Sequence, residues 1–232
     1  MLKQLTYRQV LRMTAVVFVI FEIILFPLIQ IPPADISSAA SYVAIVLVAL
    51  FALITWRGER DGHIIRLGIL FTLLADTYMV IYERMLEGVM CFILVQACYF
   101  AYLLVREERK IVKLWNIYSR IVLMSLLVIS AFLVLGDDVD ALAISSVVYY
   151  GNLIANTVFA FLRFREERIF AIGLFLFAMC DLTIGLDALF IDYLHSYALS
   201  GVFNYPYANI PWIFYQPSQV LIGLRLYSKI KA

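Results

Sequence analysis

The run IIRLGILFTLLADTYMVIY, Ile64–Tyr82, decides the fold. It is an almost unbroken series of apolar side chains, close to the ~20 residues an α-helix needs to cross a bilayer. Yet it carries an aspartate, Asp76, well inside its length. A charged side chain at that depth costs roughly +2.5–3.5 kcal/mol on insertion scales, so it is retained for a reason.

The rest of the chain reads the same way. Of its 232 residues, 64% are hydrophobic and 15% charged. A soluble domain has about 45–50% apolar and about 25% charged residues. An excess this large cannot be hidden in a core of this size, so lipid must be the solvent. Seven more runs reach spanning length, and the predicted spans are Met13–Ile31, Ser38–Trp56, Ile64–Tyr82, Gly88–Val105, Trp115–Leu135, Ala141–Leu162, Ile169–Ile191 and Ile210–Tyr227. The connections are short, which predicts antiparallel packing of successive helices. The expectation is an all-α polytopic membrane bundle of about eight transmembrane helices, forming one integral membrane domain over residues 1–232. The first apolar run is long and lacks a small-residue cleavage site, so it reads as a helix that stays.

Lys and Arg give the orientation. They gather at the N-terminus (Lys3, Arg8, Arg12), in the second loop (Arg57, Arg60, Arg66), in the fourth (Arg106, Arg109, Lys110, Lys113), in the sixth (Arg163, Arg165, Arg168) and at the C-terminus (Arg225, Lys229, Lys231). The alternate loops are nearly free of them, Arg84 excepted, and the 192–209 loop has none. By the positive-inside rule both termini are cytoplasmic. The REERK and FREER runs then read as solvated, membrane-flanking turns. A net charge of +1 excludes strong electrostatic attraction to nucleic acid.

A second stretch echoes the first. GILFTLLAD, Gly68–Asp76, and GLFLFAMCD, Gly173–Asp181, share one Gly-to-Asp spacing. This suggests parallel four-helix repeats, with Asp76 and Asp181 at similar depth on helices of one direction. Glu22 is a third acid near mid-membrane, and Asp187 lies about 9 Å beyond Asp181 at 1.5 Å per residue. Other polar side chains recur at helical spacing: Tyr149, Asn152 and Asn156; Gln96, Tyr99 and Tyr102; Tyr215 and Gln219. Lipid satisfies none of them, so each stripe must point inward. Together they predict a polar cavity in an apolar bundle. The plainer reading is interhelical glue, worth ~0.6 kcal/mol per contact. Two matched acids are an expensive glue, which singles out Asp76 and Asp181. Carboxyls in unlike environments can supply one acid and one base at neutral pH.

Several constellations are missing. There is no H-E-x-x-H, no G-x-S-x-G and no GK[ST]. The two histidines, His63 and His195, fall in predicted loops and cannot build a His-rich zinc site, so no metal or cofactor is expected. Cys91, Cys98 and Cys180 lie in apolar runs and read as packing. What remains is carboxylate acid–base chemistry, or alternatively a small proton-coupled transporter or lipid-handling protein. A non-enzymatic membrane partner or sensor predicts polar stripes that do not converge on one cavity, and Asp76 and Asp181 on opposite outer faces of the bundle would favour it.

Four stretches in order, LGILFTLLADTYMVI, GVMCFILVQACYFAYLL, AIGLFLFAMCDLTIG and IFYQPSQVLIGLRLY, resemble the YhhN-type lysoplasmalogenase family. The resemblance covers most of the chain. It implies hydrolysis of the vinyl ether bond of a lysoplasmalogen to a fatty aldehyde and a glycerophospho-alcohol. The family's two aspartates look like Asp76 and Asp181, its helix-four tyrosine like Tyr99, and its C-terminal pair like Tyr215 and Gln219. The sequence departs at Gln96, where the family often has His; Gln does not titrate. Which aspartate is the acid is left open. The compact form, with little beyond the spans, points to a bacterial inner membrane.

Overall fold

The structure is a computed structural model, and it describes residues 7–30, 34–55, 61–188 and 209–231, without the side chains at 7–8, 34–35, 188 and 228–231. Eight α-helices account for nearly all of it: α1 (Tyr7–Gln30), α2 (Ala34–Ile54), α3 (Gly62–Asp76), α4 (Met85–Arg106), α5 (Lys110–Leu135), α6 (Ala141–Leu162), α7 (Phe164–Ala188) and α8 (Ile210–Lys231). A π-helical turn, Thr77–Ile81, extends α3, and a 3-10 turn, Gly136–Asp138, follows α5. No strand occurs among the described residues. The predicted span ends at Ile31, Trp56 and Ile191, the charges at Lys3, Arg57 and Arg60, and the loop with His195 lie outside the described residues.

Among the described residues, seven helices are long and apolar enough to cross a membrane. The exception is α8, whose 22 residues include buried Gln216, Ser218, Gln219 and Arg225. Its position explains its polarity. It packs along α7 and also against α2, α1 and α3, so few of its side chains have to dissolve in lipid. The opposite case is α5, which packs mainly on α6 and turns Trp115, Tyr118, Leu133 and Val134 outward. An apolar exterior over a partly polar interior is what a bilayer selects, and the chain is an integral membrane protein.

Part of the neighbour pattern recurs when each helix is advanced by four. α3 packs along α4 as α7 packs along α8, and α4 meets α6 as α8 meets α2. The paired glycines do matching work. A Cβ on Gly68 would come within 2.6 Å of the Tyr99 ring on α4, and one on Gly173 within 2.9 Å of Ile222 on α8. Small residues let helix backbones approach closely where no hydrophobic effect drives them together. Gly185 has open space around it.

The basic end of the bundle departs from expectation. Glu167, in FREER, is fully buried. It accepts from Arg225 at 2.7 and 2.8 Å and from Tyr102 at 2.8 Å, and Arg106 lies 3.4 Å away. A helix-to-helix ion network thus occupies what reads as a solvated turn. The backbone leaves helical geometry at Glu167 (φ −119°, ψ 25°), which turns the side chain inward. Arg66 is likewise not a loop charge. It is buried in α3 and donates to the carbonyls of Ala52, at 3.0 Å, and Thr55, satisfying orphan acceptors at the end of α2. His63 sits in the first turn of α3 rather than in a loop.

Gly173→Ala is expected to destabilise the protein by about 1–3 kcal/mol, because Ile222 and the Ser218 carbonyl, 3.2 Å from the added carbon, must give way. Gly185→Ala is expected to be neutral or stabilising by up to about 1 kcal/mol. Thermal unfolding of both variants in detergent checks the pair.

Candidate functional site

The site lies where α3, α6, α7 and α8 meet. The Tyr215 hydroxyl, from α8, donates to Asp76 Oδ2 at 2.6 Å. The Tyr149 hydroxyl, from α6, donates to Asp181 Oδ2. Asp76 is buried and Asp181 half-buried, while both tyrosines are buried. Phe177, one turn before Asp181, stands between the two pairs, with ring centroids 5.4 Å from Tyr215 and 6.3 Å from Tyr149. The carboxylates lie within each other's electrostatic field. Two acid–tyrosine pairs therefore form one cluster inside the bundle, not two sites on opposite faces.

Local structure sets Asp76. The helix widens into its π turn at the next residue, Thr77. Thr77 donates to the Leu73 carbonyl at 2.7 Å and meets the Tyr42 hydroxyl of α2 at 3.1 Å. Single π turns in α-helices are frequent at functional sites. A tight hairpin then returns the chain into α4: the Arg84 amide bonds the Tyr78 carbonyl at 2.9 Å, and Glu83 takes the left-handed conformation (φ 54°).

The other sequence candidates separate into further groups. Asn152 and Asn156 share a helix with Tyr149 but serve Arg120 of α5. Its guanidinium donates to Asn152 Oδ1 at 2.6 Å, Asn156 Oδ1 at 2.8 Å and Asn116 Oδ1 at 3.2 Å, and lies over the Phe100 ring at 4.2 Å. Asn156 passes the network to Gln96, donating to its side-chain oxygen at 2.9 Å. Glu22 of α1 pairs with Gln216, whose Nε2 reaches Glu22 Oε2 at 2.7 Å. Gln219 is buried and donates to Ser218 at 3.2 Å. Tyr99 is buried against Gly68, edge-on to Phe170 at 5.3 Å. Asp187 is half-buried near the end of α7.

The polar stripes thus do not line one space: the expected single cavity resolves into an acid–tyrosine cluster, an arginine–amide cluster and a Glu–Gln pair. Arg120 and Gln216 are the residues that the sequence reading passes over. The signal for Arg120 is present, a cation five residues into the predicted Trp115–Leu135 span. Among the described residues, no group of three His, Cys, Asp or Glu side chains is placed to hold a metal ion.

Fold and cluster define a polytopic α-helical membrane protein built round paired buried carboxylates. The chain belongs to the YhhN family, whose model matches residues 37–226. That match takes in Asp76, Tyr149, Asp181 and Tyr215 and leaves out Glu22. No curated protein and no solved structure matches the chain.

If the two pairs form one unit, their contributions are not additive. Each of Tyr149→Phe and Tyr215→Phe is expected to cost about 1.5–3 kcal/mol, the range for a hydrogen bond to a charged group. The double variant should depart from the sum by at least about 0.5 kcal/mol. Strict additivity in thermal unfolding would mean two independent sites.

Proposed function

We propose that the protein is a membrane-embedded hydrolase that cleaves the vinyl ether bond of a lysoplasmalogen, releasing a fatty aldehyde and a glycerophospho-alcohol. The observation that carries this reading is the meeting of Asp76 and Asp181 in one cluster, each held by a tyrosine. Membership of the YhhN family supports it, and the match to the family-like stretches quoted above supplies the bond.

The chemistry needs two carboxyls in unlike states. A vinyl ether opens when a proton adds to its β-carbon, drawing the double-bond electrons and leaving an oxocarbenium ion. One carboxyl supplies that proton. The other, as carboxylate, stabilises the cation and accepts a proton from the water that adds to it. The resulting hemiacetal collapses to aldehyde and alcohol, and the proton balance closes. The same division between two carboxyls operates in glycoside hydrolysis. Tyr149 and Tyr215 fix the orientation of the carboxyls, and Phe177 offers an aromatic face beside the developing cation. A site within the bundle suits a single-chain lipid whose tail stays in apolar surroundings, in a bacterial inner membrane on this reading. Gln96 takes no proton-transfer part; it holds Asn156.

The repeated neighbour pattern of the two halves also favours a second reading, proton-coupled transport. Time-dependent aldehyde from a vinyl-ether lysolipid in detergent separates the two, because transport does not register there.

Asp76→Asn and Asp181→Asn are each expected to reduce aldehyde release by at least about 10²-fold, the low end of the range for general acid–base catalysis. Both should keep a cooperative unfolding transition. Near-wild-type turnover in both variants would remove the carboxylates from the mechanism.

A further inference from the structure

Glu22 belongs neither to the acid–tyrosine cluster nor to the ion network at the basic end. It lies about 12 Å along α1 from the last residue, Gln30, at 1.5 Å per residue, and is 3% exposed. Its partner on α8, Gln216, is 2% exposed. Hydrogen bonding fixes which way the Gln216 amide faces. Its Nε2 donates to Glu22 Oε2 at 2.7 Å and to the Glu22 backbone carbonyl at 2.8 Å. Turned over, the amide would set its oxygen against two acceptors. Two atoms are left over, Glu22 Oε1 and Gln216 Oε1, both buried and neither with a hydrogen-bond partner.

Both orphans are oxygens that accept, so each lacks a hydrogen. No cation answers the carboxyl: Oε1 has no partner, and Oε2 has a neutral amide. α1 packs against α2 and α8, and the titratable and charged side chains described on those helices are engaged elsewhere or distant. Tyr42 of α2 meets Thr77. Tyr215 of α8 donates to Asp76, and Arg225 serves Glu167. Tyr227 lies still further along α8 than Arg225. On α1 itself, Arg12 is ten residues away, about 15 Å along the helix.

We infer that Glu22 is a proton-binding site: in the native protein it is a neutral carboxylic acid whose Oε1–H donates to Gln216 Oε1. One proton then satisfies both orphan atoms, and no bare charge is left among apolar side chains. A carboxylic acid and a primary amide are complementary. The amide N–H meets the carbonyl oxygen of the acid, and the acid O–H meets the amide oxygen. The ligand is a proton, so the site needs no space beyond the two groups. An ionised Glu22 would leave both oxygens without a hydrogen, the costly state for buried polar atoms.

The place of this proton gives it a role. α8 sends consecutive residues to different helices, Tyr215 to Asp76 on α3 and Gln216 to Glu22 on α1. Protonated Glu22 therefore clamps α1 to α8 at the residue next to Tyr215. Glu22 is a positioning residue for the Asp76–Tyr215 pair, whichever reaction that pair performs.

The test is infrared difference spectroscopy of the purified full chain in detergent at neutral pH, wild type minus Glu22→Gln. Protonated carboxyls and carboxylates absorb in separate regions. Glu22→Gln is expected to remove one protonated-carboxyl band and no carboxylate band. Its unfolding midpoint should change little, because the new amide keeps a donor for Gln216 Oε1. Gln216→Leu should keep that band but move it, since Glu22 loses its partner, and should lower the midpoint by about 2–4 °C. Glu22→Leu combined with Tyr215→Phe should depart from the sum of the two midpoint shifts, because consecutive residues of α8 join the sites. Loss of a carboxylate band in Glu22→Gln, a band that Gln216→Leu does not move, or strict additivity of the Glu22 and Tyr215 variants would overturn the proposal. If Glu22→Gln does not fold, the band in Gln216→Leu decides. None of these readouts is turnover, so their failure leaves the hydrolase reading untouched, and a protein inactive on vinyl ethers leaves this inference standing.

Discussion

A carboxylate inside a membrane-spanning helix must find a partner from another helix, because lipid offers none. That constraint organises this bundle. Asp76 on α3 is answered by Tyr215 on α8, and Asp181 on α7 by Tyr149 on α6. Four helices from both halves of the chain must therefore meet at one place. α8 is drawn inside, where it can afford Gln216, Ser218, Gln219 and Arg225, and α5 is left on the periphery. The close approaches at Gly68 and Gly173 keep the acid-bearing helices tight against α4 and α8.

The repeat gives the cluster its asymmetry as well as its symmetry. The two halves correspond only in part, and the tyrosines break the correspondence: Tyr149 comes from α6, the helix before its aspartate's, while Tyr215 comes from α8, which packs mainly on α7 and only lightly on α3. Two like carboxyls consequently sit in unlike surroundings, one buried and the other half-buried. Unlike surroundings are what an acid and a base at neutral pH require. Arg120, the buried cation, is kept apart from them by its own cradle of asparagine carbonyls, so it does not neutralise either acid directly.

Much of this was legible in the sequence, for identifiable reasons. Spanning length and apolarity predict α1 to α7 directly. They describe α8 poorly, since a helix shielded by neighbours need not be apolar, although its run, Ile210–Tyr227, reaches spanning length. The Gly-to-Asp spacing anticipated the matched helices. What periodicity cannot give is the partner on another helix. Tyr149, Asn152 and Asn156 share one face of α6, yet the first serves an aspartate and the other two an arginine. Glu167 shows the same limit at the membrane edge: its charged neighbours suggest solvent, and only a break in helical geometry turns it into the core.

The most direct measurement concerns where the proton goes. If a carboxyl of the Asp76–Asp181 cluster protonates the β-carbon of a vinyl ether, that carbon becomes the α-carbon of the released aldehyde. Purified protein turning over a vinyl-ether lysolipid in D₂O, with the aldehyde trapped at once and its mass determined, should give product carrying one deuteron on that carbon. Aldehyde without deuterium there, or no aldehyde at all, would contradict the account.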